Sequence, residues 1–421
     1  MQRPTRHPQS IGGGDADDQP RSLLRRLRED PTDAINRIAV EIGARRPTSL
    51  GEAQAAAYLD GRMRRAGLRV SADAFRAATG SGWDGALLAL LASISCALYY
   101  WLPLPSLALA VWNVAIAVGM LLRPGAPLLA RKRQSQNVIA TRAIDDPPRW
   151  RVVLLAALDS PPATSAWARR LTAGRRAELG RVAAAGLIAL LALLALGGPL
   201  ALRQSLWYLQ IVGAIYLLLL AGVEIWSMLA PSTPGAVNHA GALSALLESA
   251  DSLSALSQTE LWAVALGASS SGAGLADLLR RYPFDRERTL FIGIESIGAG
   301  HVSYVTRAGI APQRPSDPLL LQLVAAADAD DPLIDAEPRP YTSEPALVQQ
   351  LQRTGRRALT IIGLTADGQP AYRGTMADTL EQVDSHALDR AVRLVVGLVK
   401  KIDGTSAEFD TDSALLPGNS L

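Results

Sequence analysis

Four long apolar segments, arranged as two pairs, limit what this chain can fold into more than any other feature of its sequence. The first pair covers residues 85–102 and 104–122, and the second covers residues 182–200 and 206–230. Each segment has about the 20 residues that an α-helix needs to cross a bilayer core of roughly 30 Å. Buried helices of a large soluble domain are the alternative. The lengths favour two transmembrane hairpins.

Aromatic residues at the ends of these segments also favour a membrane. They fall into two groups, as expected for its two water interfaces: Tyr99, Tyr100, Trp101, Trp207 and Tyr208 at one end, and Trp83 and Trp226 at the other. Asn113 and Glu224 are the polar residues of interest within the segments. We expect Glu224 to lie near the cytoplasmic interface or to pack against a neighbouring helix, with a proton or ion path as the alternative.

Basic residues around the segments predict the orientation. The polar segments that connect the two pairs carry nearly all of them: Arg123, Arg131, Lys132, Arg133, Arg169, Arg170, Arg175, Arg176 and Arg181. The opposite side carries only Arg203. Because positive residues stay in the cytoplasm, we predict a multi-pass inner or plasma membrane protein with four spans and a cytoplasmic soluble domain.

Composition sets further limits. The 421 residues carry a net charge of +3, which gives no reason to expect a nucleic-acid partner. A single cysteine, Cys96, excludes an intrachain disulfide. The predicted organisation is a disordered tail (1–21), one discontinuous soluble domain (22–82, 123–181 and 231–404), the hairpins (83–122 and 182–230) and a second disordered tail (405–421).

The soluble sequence alternates between strand and helix patterns. Short apolar runs typical of buried strands lie at 152–158, 261–267, 290–294 and 359–362, and helical patterns at 240–255, 318–327, 344–354 and 385–401. A helical region is also expected from residue 22 to residue 70. This alternation predicts an α/β three-layer sandwich with a mixed, largely parallel sheet. In such sheets the site lies beyond the carboxyl ends of the strands, which here means Asp159, 269–272, 295–298 and 367–379.

The motifs at these strand ends resemble those of the co-catalytic zinc peptidases, the family of leucine aminopeptidases, glutamate carboxypeptidase and the transferrin receptor. The resemblance rests on the turn Pro-Gly-Ala-Val-Asn-His-Ala-Gly at 234–241, on Asp159-Ser160, Gly267-Ala268 and Ala377-Asp378-Thr379, and on an N-terminal segment from Arg45 to Glu52. In that last segment, Ser49 and Glu52 also fit a helix capping box. The resemblance implies a zinc-aminopeptidase-like fold.

The same resemblance implies where two zinc ions and a general base would be held. In the family, histidine, aspartate and glutamate supply these groups; this chain has Ala157, Asn238, Ser269, Ser270 and Gly374 there, with Glu295 in place of an aspartate. Asp159 keeps the carboxylate that orients a ligand in the family. Alanine, glycine and neutral hydroxyls do not replace imidazole and carboxylate as zinc ligands. We therefore expect no metal centre, no cofactor and no catalytic residue.

The sequence predicts a degenerate, membrane-anchored pseudoenzyme that acts as a binding, scaffolding or accessory subunit. Its expected partners are the lipid bilayer and a protein in the membrane or the cytoplasm. The alternative is a metal-dependent aminopeptidase or hydrolase with an aberrant or single-metal site, for which the candidates are Asp159, His239, Glu295 and Asp378. Small-molecule sensing in the emptied cleft is a third hypothesis. We also expect Arg373 to approach Glu295 or Asp159, because a guanidinium can stand in for part of a metal's charge.

Overall fold

The structure, a computed structural model, describes residues 31–78, 82–122, 129, 131–172, 174–309, 313–342 and 347–405. Both predicted disordered tails lie outside these residues, apart from Thr405, and so do residues 22–30 of the expected helical region. The described residues form twelve α-helices and nine β-strands.

The helices alternate with the strands for most of the chain. The helices are α1 (Pro31–Asn36), α2 (Leu50–Arg65), α3 (Gly82–Leu98), α4 (Pro103–Leu122), α5 (Ala166–Thr172), α6 (Gly174–Ala195), α7 (Leu200–Leu229), α8 (Gly241–Ser252), α9 (Ala273–Arg281), α10 (Pro318–Asp330), α11 (Gln349–Arg353) and α12 (Ser385–Asp403). The strands are β1 (Arg69–Ala78), β2 (Lys132–Arg142), β3 (Trp150–Ala157), β4 (Thr259–Leu266), β5 (Thr289–Glu295), β6 (His301–Ala308), β7 (Arg314–Pro315), β8 (Glu337–Tyr341) and β9 (Arg357–Leu364).

All nine strands belong to one mixed sheet of order β1-β2-β4-β3-β5-β9-β6-β7, with β8 paired to β6. The four central strands, β4, β3, β5 and β9, are parallel and coincide with the predicted apolar runs. Strands β1, β2, β6 and β7 form antiparallel pairs, whereas β6 and β8 pair in parallel. The predicted mixed sheet is thus confirmed, but it is not largely parallel. Strand β1, in place of the expected end of a helical region, is a half-exposed edge strand without a continuous apolar run.

Helices cover both faces of the sheet, because successive strand residues point to opposite faces. In β3, Val152 and Leu154 pack into a large core with α1, α2, α8, α10 and α12. Val153 and Leu155 pack into a smaller core with α9 and α11. Strands from before, between and after the apolar segments therefore share one sheet and its two cores.

The apolar segments form helices α3, α4, α6 and α7, which pack as a four-helix bundle: α3 and α6 each contact both α4 and α7. Small residues line its interior, including Ala92, Ala110, Ala184 and Ala214, as is common where helices associate in membranes. Many large apolar side chains face outward, among them Trp112 and Leu219, both 64% exposed.

Three of these helices are long and apolar enough to cross a membrane: Pro103–Leu122, Arg176–Ala195 and Ala201–Leu229. The remaining apolar helix, Trp83–Leu98, is shorter. It ends at Leu98, before the predicted residue 102; Tyr99–Trp101 form a turn, and Pro103 starts the next helix. The helices thus indicate membrane association. The prediction of two complete transmembrane hairpins is not confirmed, because only three of the four helices are long enough.

The two polar residues singled out within the bundle, Glu224 and Asn113, differ in their partners. Glu224 is buried and forms an ion pair with Arg181 of α6, which confirms that it packs against a neighbouring helix. Asn113 is fully buried, and its amide has no hydrogen-bond partner in the described part of the chain. Arg181, which the sequence placed with the basic flanks, is only 3% exposed and therefore belongs to the bundle interior.

Candidate functional site

The sequence-predicted positions meet at one edge of the sheet, beyond the carboxyl ends of β3, β4, β5 and β9. Asp159 follows β3, the turn Ser269–Ser271 follows β4, Glu295 ends β5, and the loop with Arg373 follows β9. The turn with Asn238 joins them: its backbone oxygen accepts a hydrogen bond from the Ser296 N–H at 3.0 Å. The fold thus brings together residues from five separate parts of the chain.

Asp159 is fully engaged by the loop after β4. Its two carboxylate oxygens accept hydrogen bonds from the backbone N–H groups of Ser269, at 2.7 Å, and Ser270, at 3.2 Å. The side chain is 2% exposed. Backbone N–H donors satisfy a buried carboxylate without a metal ion, so Asp159 holds the loop in which the family carries its base and a ligand.

Glu52 also binds the loop after β4, a role that the sequence did not predict. Its carboxylate accepts hydrogen bonds from the Ala268 N–H at 2.7 Å, the Thr48 N–H at 2.6 Å and the Ser135 hydroxyl at 3.0 Å. Burial raises its pKa to about 7, against the effect of the Ala268 hydrogen bond, and the nearby Asp159 charge raises it further. Ala268 itself adopts a left-handed conformation with φ +43°.

A signal for Glu52 was present in the sequence. The predicted cap is confirmed, since the Ser49 side chain accepts a hydrogen bond from the Glu52 N–H at 3.2 Å. However, Glu52 also shares the spacing of the buried residues Ala55, Ala56 and Leu59. A carboxylate on the apolar stripe of a helix needs an internal partner, and here that partner is the loop after β4.

Asn238 and Asp378 form a second closed pair. The Asn238 amide nitrogen donates to an Asp378 carboxylate oxygen at 2.8 Å and to the Ala371 carbonyl at 2.9 Å. The other Asp378 oxygen accepts a hydrogen bond from the Val237 N–H at 2.7 Å. Burial raises the Asp378 pKa in spite of these bonds. An asparagine suits this position because it donates a hydrogen bond, where a second carboxylate would repel Asp378.

His239 stands beside this pair as a neutral imidazole. Burial, followed by the positive charges of Arg373 and Arg45, holds its pKa well below the ordinary value. Within the described residues its Nδ1 atom has no hydrogen-bond partner, and neither has the side-chain oxygen of Asn238. Of the four candidates for a single-metal site, His239 alone therefore keeps an unused donor atom, while the three carboxylates are engaged.

Arg373 approaches Glu295, as predicted. Its Nη1 atom lies 3.5 Å from a Glu295 carboxylate oxygen and 3.3 Å from the Ser296 hydroxyl. The other Glu295 oxygen accepts a hydrogen bond from the Leu347 N–H at 2.5 Å. Both charged side chains are largely buried, at 17% and 8% exposure. A guanidinium thus places positive charge next to the carboxylate at a family ligand position.

Two further arginines reach the site, and sequence analysis assigned neither of them to it. The guanidinium of Arg45 is fully buried and donates to main-chain carbonyls that include those of Leu158, at 3.2 Å, and Pro234, at 3.1 Å. Burial lowers its pKa to about 10, while Asp378 and Asp159 raise it. Arg169 of α5 lies against Gly374, where a Cβ atom would overlap its guanidinium. No motif in the sequence marks either role.

The residues present do not fit a pair of zinc ions. Ala157 and Gly374 offer no side-chain donor, and Arg169 fills the space beside Gly374. In the described ranges, no three histidine, cysteine, aspartate or glutamate side chains come together as a metal site would require.

Comparison with known proteins identifies the architecture. The structure is similar to the zinc aminopeptidase BSAP of Bacillus subtilis, with a TM-score of 0.53, 12% identity, and 90% of this chain and 96% of that chain covered. It is also similar to an aminopeptidase of Aneurinibacillus sp. strain AM-1, with a TM-score of 0.53, 14% identity, and 92% and 96% covered. This is the zinc-aminopeptidase fold.

Other findings set the extent of this likeness. The glutaminyl cyclase of Porphyromonas gingivalis matches with a TM-score of 0.50 and 13% identity over 88% of this chain and 97% of that chain. No protein-family model and no curated protein matches the sequence. At these identities the likeness shows the fold alone, so the predicted fold is confirmed and the activity is a separate question.

Proposed function

We propose that this protein is a membrane-anchored, non-catalytic member of the zinc-aminopeptidase fold, a pseudoenzyme that serves as a binding, scaffolding or accessory subunit. The observation that carries this proposal is the engagement of every carboxylate at the strand ends. Asp159 is held by backbone N–H groups, Asp378 by Asn238 and Val237, and Glu295 by Arg373 and Leu347.

A metal-activated hydrolase needs free donor atoms for its metal and a carboxylate base for its water. In this site the carboxylate oxygens are engaged by the protein itself, and hydroxyl residues Ser269 and Ser270 stand where the family has carboxylates. A site closed in this way supports a structural role for the former metal residues. The fold then provides a rigid surface whose partner is a protein in the membrane or the cytoplasm.

Metal analysis tests this proposal. We expect the purified full-length protein to contain no stoichiometric zinc after dialysis against a weak chelator, and to cleave no aminoacyl reporter peptide. About one zinc per chain, lost in Glu295→Ala and retained in the control Asp367→Ala, would instead support the single-metal hydrolase. Asp367 is a suitable control because it is exposed and lies in the same loop region as Arg373.

The membrane part of the proposal is a bundle of four spans with the soluble domain in the cytoplasm. Its support is the packing of all four apolar helices together and the basic residues around their soluble-domain ends. Arg169 and Arg181 no longer contribute to this argument, because both side chains point into the protein. Exposed basic residues at that end, such as Arg131, Arg170 and Arg176, retain the asymmetry.

Cysteine labelling in intact cells tests the orientation. In a Cys96→Ala background, Leu104→Cys should react with an impermeant thiol reagent added outside, and Leu333→Cys should not react until the cells are opened. The two positions are matched, since Leu104 is 67% and Leu333 is 64% exposed. The reverse labelling pattern would place the soluble domain outside the cell and contradict the proposal.

A further inference from the structure

Helix α5 (Ala166–Thr172) has two unlike faces and directly precedes α6. Trp167 and Leu171, four residues apart and therefore on one side of the helix, are 58% and 40% exposed. On the other side, Ala168 is fully buried and Arg169 lies against Gly374 in the site. A short helix that leaves a tryptophan and a leucine uncovered needs something apolar to contact.

The uncovered face continues a band of exposed apolar side chains. Helix α5 packs against α6 and against α7, and the soluble-domain end of α7 carries Trp226, 51% exposed, and Leu229, 71% exposed. Trp83, 53% exposed, starts the apolar part of α3. Trp83 and Leu229 stand at the helix ends that connect the bundle to the α/β domain, and Trp226 lies one turn from that end of α7. Tryptophan is enriched at membrane interfaces.

The charge of this surface is positive. Arg170 and Arg176 flank the uncovered face and are exposed. Within the described residues neither forms an ion pair. Arginine side chains that are free of acidic partners beside interfacial tryptophans match the phosphate groups of anionic lipids.

We propose that α5 lies in the plane of the membrane interface and binds anionic phospholipid headgroups, with Trp167 and Leu171 among the lipids and Arg170 and Arg176 on the phosphates. This inference rests on the membrane anchoring proposed above. It adds a consequence for the site, because Arg169 on the opposite face of the same helix fills the lost histidine position at Gly374. Lipid contact therefore holds α5 in the position that closes the site.

Depth-dependent fluorescence quenching tests this placement. The full chain, with Cys96→Ala, Leu171→Cys and an environment-sensitive dye on the new thiol, is reconstituted in single-copy nanodiscs. We expect a headgroup-attached lipid quencher to reduce this emission several-fold more than that of the same dye at Leu333→Cys, an exposed apolar position far along the soluble domain. We also expect stronger quenching in phosphatidylcholine–phosphatidylglycerol discs than in phosphatidylcholine discs.

Charge variants separate headgroup binding from mere proximity. Arg170→Gln with Arg176→Gln should abolish the difference between the two lipid compositions while leaving the protein in the disc. Equal quenching at positions 171 and 333 would overturn the proposal. So would a dye at 171 that both the lipid quencher and aqueous iodide fail to reach, because a protein partner would then cover α5.

A third label distinguishes failure of this inference from failure of the membrane proposal. A dye at Trp112→Cys, on the outward face of α4 and 64% exposed, should be quenched by a lipid that carries its quencher in the acyl chain. Quenching at 112 without quenching at 171 would reject the lipid-binding helix alone. Absence of quenching at 112 would reject the membrane anchoring on which both proposals rest.

Discussion

At the scale of single residues, the site shows how this protein stabilises buried carboxylates with its own groups. Each one accepts hydrogen bonds from backbone N–H groups, and Glu295 adds a guanidinium. A buried carboxylate without such partners would be costly. Asn238 and Asp378 fit each other, since the Asn238 amide donates a hydrogen bond to the Asp378 carboxylate, which an aspartate at position 238 would repel.

The pair Arg373 and Glu295 predicts a measurable coupling. We expect Arg373→Ala to lower the free energy of unfolding by about 2–3 kcal/mol, because it leaves Glu295 buried with one hydrogen bond fewer. The double variant Arg373→Ala with Glu295→Ala should lose less than the sum of the two single changes. Thermal or denaturant unfolding in detergent measures this, with the exposed Arg307→Ala as control; additive losses would show that the contact is not stabilising.

Glu52 predicts a dependence of stability on pH. Its pKa is about 7 in the folded protein, against 4.5 as the ordinary value. A carboxyl group with a raised pKa binds its proton more tightly when folded, so stability falls as the pH rises from about 4.5 to about 7. The full shift corresponds to about 3 kcal/mol.

Glu52→Gln should remove most of this dependence. Wild-type protein is therefore expected to lose about 2–3 kcal/mol more than Glu52→Gln between pH 5 and pH 8. Melting temperatures at the two pH values measure the effect, with the exposed Asp145→Asn as a control that keeps the wild-type slope. A Glu52→Gln variant with an unchanged slope would show that another group is responsible.

At the scale of elements, helix α5 and the loop after β9 close the site together. The Thr164 N–H donates to the Gly374 carbonyl at 2.9 Å, and Arg169 on α5 fills the space beside Gly374. Gly374 has φ +66°, a conformation that favours glycine. Arg169 from a neighbouring element thus occupies the space that a side chain at position 374 would need.

A matched pair of glycines isolates this contact. Gly368 lies in the same loop with φ +71°, and a Cβ atom at that position would meet no other atom within 4 Å. We expect Gly368→Ala to cost about 1–2 kcal/mol from the backbone conformation alone. Gly374→Ala should cost about 1–3 kcal/mol more, because the new methyl group meets Arg169.

Combination with Arg169→Ala completes this experiment. In that background the gap between the two alanine variants should shrink, since the remaining penalties are the positive φ and, at position 374, a 3.3 Å approach to the Thr164 carbonyl. The free energies of unfolding of Gly368→Ala and Gly374→Ala, each with and without Arg169→Ala, measure this difference. A Gly374→Ala variant no less stable than Gly368→Ala would mean that Arg169 moves away freely and does not fill the position.

At the scale of the whole molecule, two helical hairpins and one sheet depend on each other. The loop at 160–164 pairs with the end of α7, where the Ala163 N–H donates to the Pro231 carbonyl at 2.7 Å. Only four residues, 230–233, separate the end of α7 from the turn at 234–241 that carries Asn238. The bundle is therefore joined to the α/β domain at the site itself.

The ion pair between Arg181 and Glu224 joins α6 to α7, and we expect it to contribute to the stability of the bundle. Arg181→Gln should lower bundle stability by about 3–5 kcal/mol, because it leaves the buried Glu224 carboxylate without its cation. Glu224→Gln should cost less, because Arg181 keeps its ion pair with Glu178 at 2.6 Å. The double variant should be more stable than Arg181→Gln alone. Detergent melting curves measure this, with Gln204→Ala on the exposed face of α7 as control; a harmless single variant would show that water reaches the pair.

The sequence alone determined the central sheet and which positions of the site carry no donor side chain. Continuous apolar runs predicted β3, β4, β5 and β9, because strands buried on both faces need apolar residues throughout. The half-exposed strand β1 lacks that signal, and the mostly buried strand β6 has its apolar residues interrupted by Ser303, Thr306 and Arg307. The identities of Ala157 and Gly374 also sufficed to remove two ligand positions, since neither residue has a donor side chain.

Only the tertiary structure decided which groups satisfy the buried charges of the site. Glu52 reaches a backbone N–H group 216 residues away, and Arg169 reaches Gly374 from a helix that sequence analysis had counted among the membrane flanks. The buried Arg45 side chain donates to the carbonyls of Leu158 and Pro234, which lie before and after the second pair of apolar segments. A buried charge is satisfied by whichever donors the fold brings within hydrogen-bonding distance, and that proximity depends on packing rather than on local pattern.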